Sequence, residues 1–289
     1  MNLNPDTLPK DTSLRADDLP SEADLGDSLN ALYPSDDHDS TLEVHGLDVW
    51  YGEAPALSGI YCHFPEKSVT AIMGPSGCGK STLVKTLNRT LELTPGARVG
   101  ARSVFLHGFD IYGPETDAKI IRKHIGIIHQ RPVVFPMSIL ENVLFGAKFF
   151  RELGDESPSA YAERYLDRVG LLDEVSDRLH EPAHKLSGGQ QQRLCLARTL
   201  ANQPEIILMD EPCSAIDPVA TQRIEDLIDE LKRDYTIIIV THNLQQARRV
   251  SEQAILMFGG RIIEAGPTEA LFQHPRTQIA QEFISGAIG

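Results

Sequence analysis

An α/β fold with a mostly parallel sheet is predicted by two observations along the chain. Short apolar runs of strand length alternate with helical stretches. One of those runs leads straight into a glycine-rich turn that opens a helix. A third observation adds a layer. From about Arg131 to Lys185 no convincing strand appears and helical periodicity takes over, which predicts a helical subdomain inserted into the core.

The first 40 of the 289 residues hold ten acidic and two basic side chains and are rich in Asp, Ser and Pro. Such a stretch cannot bury enough apolar surface to order itself, so it reads as a disordered acidic arm. Within it Ser21 and Asp24 resemble a capping box ahead of Leu25, Leu29 and Leu32 at helical spacing. That pattern fits either a short docking helix or a transient helix in a solvated tail. From residue 41 the texture changes. Strands are predicted over residues 41–50, 69–73, 125–129, 205–209, 236–240 and 254–258. Helices are predicted near residues 138–149, 159–169 and 173–179, with another opening at Ser187 and running to about Ala201. The domain expected is 41–275, with a core of 41–130 and 190–275, a helical subdomain over about 131–189, and a tail over 276–289.

The net charge is −14, of which the arm contributes −8. An acidic protein is not drawn to nucleic acid or to anionic lipid, so neither is expected as a general partner. No apolar run reaches the roughly 18 residues a membrane span needs. The N-terminus lacks the apolar core of a signal peptide. Cys62, Cys78, Cys195 and Cys213 form no CxxC pair, which argues against a zinc or disulfide framework and fits a reducing cytoplasm.

The strand at 69–73 runs into Gly74, Pro75, Ser76, Gly77, Cys78, Gly79, Lys80, Ser81 and Thr82, which matches the P-loop pattern GxxxxGK[ST]. Its glycines let backbone N–H groups turn toward phosphate oxygens, and the following helix adds the positive end of its dipole. Lys80 would reach the β- and γ-phosphates, and the Ser81 hydroxyl would ligate Mg²⁺. The strand at 205–209 delivers Asp210 and Glu211, the arrangement in which Asp210 holds Mg²⁺ through water and Glu211 polarises an attacking water. Alone, two adjacent carboxylates could equally be a solvated turn. Ser187, Gly188, Gly189 and Gln190 open a helix after Leu186 and form a second backbone anion cradle. Cys78 has two readings: a thiol in an electropositive loop whose modification blocks nucleotide, or a small residue at a tolerant position.

The order P-loop, LSGGQ, strand ending in Asp-Glu resembles the ABC-type ATPases over about residues 41–270. The resemblance implies a P-loop NTPase core with an antiparallel β edge, ATP and Mg²⁺ as ligands, and two copies paired head to tail. Ser187, Gly188, Gly189 and Gln190 would then serve the partner copy's ATP. It also implies that Gln130 senses Mg²⁺ and water, that Glu211 is the catalytic glutamate and that His242 and Lys80 meet the γ-phosphate. Asp217, in the run Ser214-Ala215-Ile216-Asp217, would contact the partner copy and its nucleotide. Tyr51 sits where an adenine-stacking aromatic belongs, with Trp50 beside it as the alternative.

Further runs narrow the likeness. Phe135-Pro136-Met137-Ser138-Ile139, Asp210-Glu211-Pro212-Cys213-Ser214 and Thr241-His242-Asn243-Leu244-Gln245-Gln246 are similar to the ATPase subunits of bacterial phosphate importers. Ile216 departs from the Leu usual there, and residues 90–94 and 100–131 fit that subgroup poorly. The implied partners are two membrane permease subunits and, indirectly, a periplasmic or extracellular solute-binding protein. The implied place is peripheral, on the cytoplasmic face of the inner membrane. Import of another solute and a soluble ABC-type switch acting on a non-permease partner stay open. A P-loop kinase would have no use for LSGGQ, and 130 residues between the two nucleotide motifs leave no room for a long DNA-handling coiled coil.

Overall fold

The computed structural model describes residues 40–100 and 103–288. The predicted arm, with its Ser21–Asp24 box and leucine spacing, therefore lies outside the described residues except for Ser40. Two sheets carry the fold. The larger has six strands in the order β11-β10-β3-β9-β8-β7. These are β3 (Val69–Met73), β7 (Ile125–Ile128), β8 (Ile206–Asp210), β9 (Thr236–Val240), β10 (Gln253–Phe258) and β11 (Arg261–Pro267). All pairs are parallel except β10 with β11.

The central strands are buried from end to end, so their sequences (VTAIM, TIIIV) read as continuous apolar runs rather than alternating ones. Alternation is still present, hidden by burial on both faces. Ala71 and Met73 of β3 and Ile237 and Ile239 of β9 enter one apolar cluster. Ile72, Ile238 and Val240 enter the other.

The second sheet is antiparallel and covers the second of these clusters. It comprises β1 (Ser40–Tyr51), β2 (Ala54–Pro65), β4 (Ala97–Val99), β5 (Val104–Leu106) and β6 (Phe109–Asp110). The predicted antiparallel edge is thus larger than an edge. The strand expected at 41–50 belongs to this separate sheet, not to the parallel one, and pairs with β2, β4 and β5. Helix α1 (Lys80–Leu87) lies between the sheets, with Leu83, Val84 and Leu87 in the shared cluster.

Helices cover the opposite face. After α2 (Ala118–His124) and β7 come α3 (Ile139–Phe150), α4 (Pro158–Arg168), α5 (Leu172–Val175) and α6 (Gly188–Leu200). The helix expected over 173–179 is a single turn, because residues after Val175 pass into turns leading to a short 3₁₀ segment at Ala183–Lys185. Ser138 starts α3 with a capping box to Glu141, and Ser157 with Pro158 starts α4. Val143, Tyr161, Leu166 and Leu194 pack into the cluster that holds β3 and β9, so the helical layer shares its core with the sheet. The chain closes with α7 (Pro218–Leu231), α8 (Leu244–Val250), α9 (Thr268–Gln273) and α10 (Gln278–Ile284). Among the described residues no helix is long and apolar enough to cross a membrane.

Candidate nucleotide-binding site

Strands β3, β8 and β9 run parallel and deliver their C-terminal ends to one edge of the sheet. The turns after them carry the predicted residues. After β3 the backbone takes positive φ at Gly74 (145°), Gly77 (81°) and Gly79 (105°). A side chain at Gly74 would place its Cβ 2.2 Å from the Met257 carbonyl, so only glycine fits there. No side chain caps the N-terminus of α1, which leaves its first N–H groups facing the turn. The Lys80 ammonium lies across the loop and donates to the carbonyls of Gly74 (2.7 Å) and Pro75 (2.9 Å). These bonds hold a buried cation at the loop.

The Ser81 hydroxyl donates to the Asp210 carboxylate at 3.2 Å, joining the two motifs that are 129 residues apart in sequence. Burial raises the Asp210 pKa, the Ser81 hydrogen bond lowers it, and the neighbouring Glu211 charge raises it again. A hydroxyl beside a carboxylate is the hard-oxygen set that suits Mg²⁺. No cluster of three or more His, Cys, Asp or Glu among the described residues would hold an ion unaided. The donor set therefore fits a cation shared with phosphate oxygens.

Glu211 sits in the left-handed region (φ 49°), with its N–H donating to the Val240 carbonyl at 2.9 Å. This kink re-aims the chain leaving β8. One carboxylate oxygen, Oε2, accepts from the Gln130 amide at 3.0 Å and lies 3.3 Å from His242 Nδ1. Three residues widely separated in sequence meet at one oxygen. Gln130 thus reaches the site through Glu211.

A cleft of about 480 Å³ opens over the loop, lined by Tyr51, Ser76, Lys80, Ser81, Thr82 and Glu211 among others. Successive residues of a strand face opposite ways, so only one of Trp50 and Tyr51 can face it. Tyr51 does, with its hydroxyl 3.2 Å from Thr82 Oγ1, whereas the Trp50 ring lies under the Arg98 guanidinium. Cys78 is 4% exposed and burial raises its pKa, with Lys80 opposing. The thiol is therefore shielded, against the reading of a reactive group in an electropositive loop.

Ser187, Gly188, Gly189 and Gln190 do not line this cleft. Ser187 caps α6, accepting from the Gln190 N–H, and Gln190 Oε1 accepts from the Ser187 N–H in a second capping box. Gly189 packs against α7: a Cβ there would lie 2.7 Å from that of Ala220. Asp217 caps α7, accepting from Val219 and Ala220 N–H at 3.0 Å each, and lies outside the cleft as well.

Sequence reasoning missed the far wall, formed by Pro55 and Ala56 at the start of β2 and by Gly259 and Gly260 in the turn between β10 and β11. The Gly-Gly dipeptide between two apolar runs was the available signal for that hairpin.

The ABC transporter family profile matches residues 57–214. The phosphate import ATP-binding protein PstB of Salinibacter ruber is 49% identical over 248 residues, covering 86% of this chain and 98% of that protein. The structure of cbiO1 from Clostridium perfringens, part of the ABC transporter complex cbiONQ, is 27% identical with a TM-score of 0.70. The match covers 86% of this chain and all of that one. A bacterial Atm1-family ABC exporter with ATP bound, 24% identical over 87% of this chain and 42% of its own, shares the fold with a TM-score of 0.72.

Proposed function

The chain belongs to the ABC transporter family of ATPases, and we propose that it is the ATP-binding and ATP-hydrolysing subunit of a phosphate import complex. The observation that carries the chemistry is the meeting of Gln130 and His242 on Glu211, beside the Ser81–Asp210 pair. Phosphate as the solute rests on the likeness to PstB.

In this reading the P-loop N–H groups and Lys80 bind the triphosphate and Tyr51 stacks on the base. Mg²⁺ held through Ser81 and Asp210 would neutralise charge on the phosphate oxygens. Glu211 accepts the proton of an attacking water and Gln130 fixes the carboxylate. His242 and Lys80 counter the charge that grows on the γ-phosphoryl group. Ser187 and Gly189 lie away from this cleft, and by the family likeness they meet the ATP of a second copy, with Asp217 at the same interface. Closing and reopening of that pair drives two membrane permeases through residues 131–139, supplied by a solute-binding protein outside. The protein sits peripherally on the cytoplasmic face of the inner membrane.

Glu211→Gln tests this. In ATP it should form a stable dimer, bring down permease subunits from solubilised membranes and hydrolyse ATP about 100-fold or more slowly. A monomer with wild-type turnover overturns the mechanism. Vesicles holding the complex that accumulate another solute but not radiolabelled phosphate overturn the substrate.

A further inference from the structure

His242 is 63% exposed at its side chain, and among the described residues its ring makes one polar contact, the 3.3 Å approach to Glu211. Its aim therefore depends on the backbone that carries it. That backbone is gripped on both sides. Thr241, 2% exposed, has its N–H bound to the Ile72 carbonyl of β3, and its hydroxyl accepts from the Asn243 N–H at 3.0 Å. The same hydroxyl donates to Gln246 Oε1 at 2.8 Å. Asn243 caps α8 by accepting from the Gln246 N–H at 3.1 Å. The Gln246 amide nitrogen then donates to Glu225 Oε1 at 3.1 Å, and Arg249 closes the chain with two bonds to that carboxylate (2.9 and 2.8 Å). Gln246 and Glu225 are 3% and 6% exposed, so water cannot substitute for these bonds.

We propose that Thr241, Gln246 and Glu225 are positioning residues for hydrolysis: a buried relay from α7 to the turn after β9 that sets the aim of His242. The inference rests on the role given to His242 above. The relay needs one side chain at position 246 that accepts from a hydroxyl and donates to a carboxylate at once. An amide does both, whereas a glutamate of the same shape would face Glu225 with a second carboxylate. This gives a physical reason for an amide at position 246. The relay starts on α7, the helix whose first turn is capped by Asp217.

The test is ATP turnover of the full-length chain, followed by release of radiolabelled phosphate so that residual rates are measurable. Thr241→Val should lower kcat about 10-fold with KM unchanged. Thr241→Ser should stay within about twofold of wild type, and Gln246→Glu should resemble Thr241→Val despite its near-identical shape. The decisive arm is the His242→Ala background, where Thr241→Val should change kcat by less than about twofold, since the relay has nothing left to aim. Independent, multiplying losses there overturn the relay, as does a wild-type Thr241→Val beside a defective His242→Ala. Wild-type turnover in His242→Ala itself overturns the role of His242. ATP-dependent dimerisation of Thr241→Val in the Glu211→Gln background should be intact, and its loss would mark a structural effect and overturn the proposal.

Discussion

Glu211 holds its position against its own backbone. A non-glycine residue in the left-handed region costs about 1 kcal/mol or more, and here the kink turns the carboxylate from the end of β8 toward Gln130 and His242. Two inactive variants separate the strain from the chemistry. Glu211→Gly should be more stable to denaturant than Glu211→Ala by about 1 kcal/mol, because glycine accepts the geometry and alanine does not. Equal midpoints would show that the surroundings, not the residue, absorb the strain. Residues of this kind were legible in the sequence when their chemistry lay in contiguous runs, as in Gly74 to Thr82 or Asp210 with Glu211. Trp50 and Tyr51 were not separable that way, since adjacent aromatics differ only in the face they take. The bond from Lys80 to the Gly74 and Pro75 carbonyls and the kink at Glu211 are backbone facts with no signature in residue type.

Helices α5, α6 and α7 meet at one carboxylate. Glu174 on α5 accepts from Arg193 (2.9 and 3.0 Å) and Gln190 (2.9 Å) on α6 and from Arg223 (2.7 Å) on α7. Arg193 is 4% exposed, and its buried guanidinium is paired by this carboxylate and also donates to the Gly170 carbonyl. Burial works against the Glu174 charge, but the bonds from Gln190 and Arg193 outweigh it and hold the pKa below the ordinary carboxylate value. A lowered folded-state pKa stabilises the fold above the unfolded value of about 4.3 and ceases to do so as pH falls through the folded one. Glu174→Gln should therefore lower the melting temperature at pH 7, and the gap to wild type should narrow below about pH 4. A gap independent of pH would assign the loss to packing. Elements varied in legibility for a related reason. The buried parallel strands announce themselves as apolar runs, but β4 and β5 have three residues each, and the sequence of β2 carries Gly59 at its middle and a proline near each end. The antiparallel sheet is specified by pairing across distant segments, which no local pattern records.

The two sheets enclose one apolar cluster and the helical layer with the parallel sheet encloses another, and the cleft lies where loops from both sheets come together. At that meeting point stands Gly260. Its N–H donates to the Cys78 carbonyl of the P-loop at 3.1 Å, and its carbonyl accepts from the Ser58 N–H of β2 at 2.9 Å. Its φ is 78°, and a Cβ there would lie 2.7 Å from the Ala56 carbonyl. The alternation of strands and helices predicted the parallel sheet and its helical cover, but neither the second sheet nor the hairpin turn that fastens it to the P-loop.

That fastening sets where the chain tolerates added length. Lengthening a surface loop costs little entropy, so a spliced flexible peptide is limited by the contacts it displaces. About ten Gly/Ser residues spliced in after Gly154, an exposed turn where a Cβ would meet nothing within 4 Å, should leave nucleotide affinity unchanged. The same peptide placed between Gly259 and Gly260 should abolish binding of a fluorescent ATP analogue, because it uncouples both backbone bonds made by Gly260. For anyone tethering a reporter or a second domain to this protein, one hairpin tip is closed to grafting and the other turn is open.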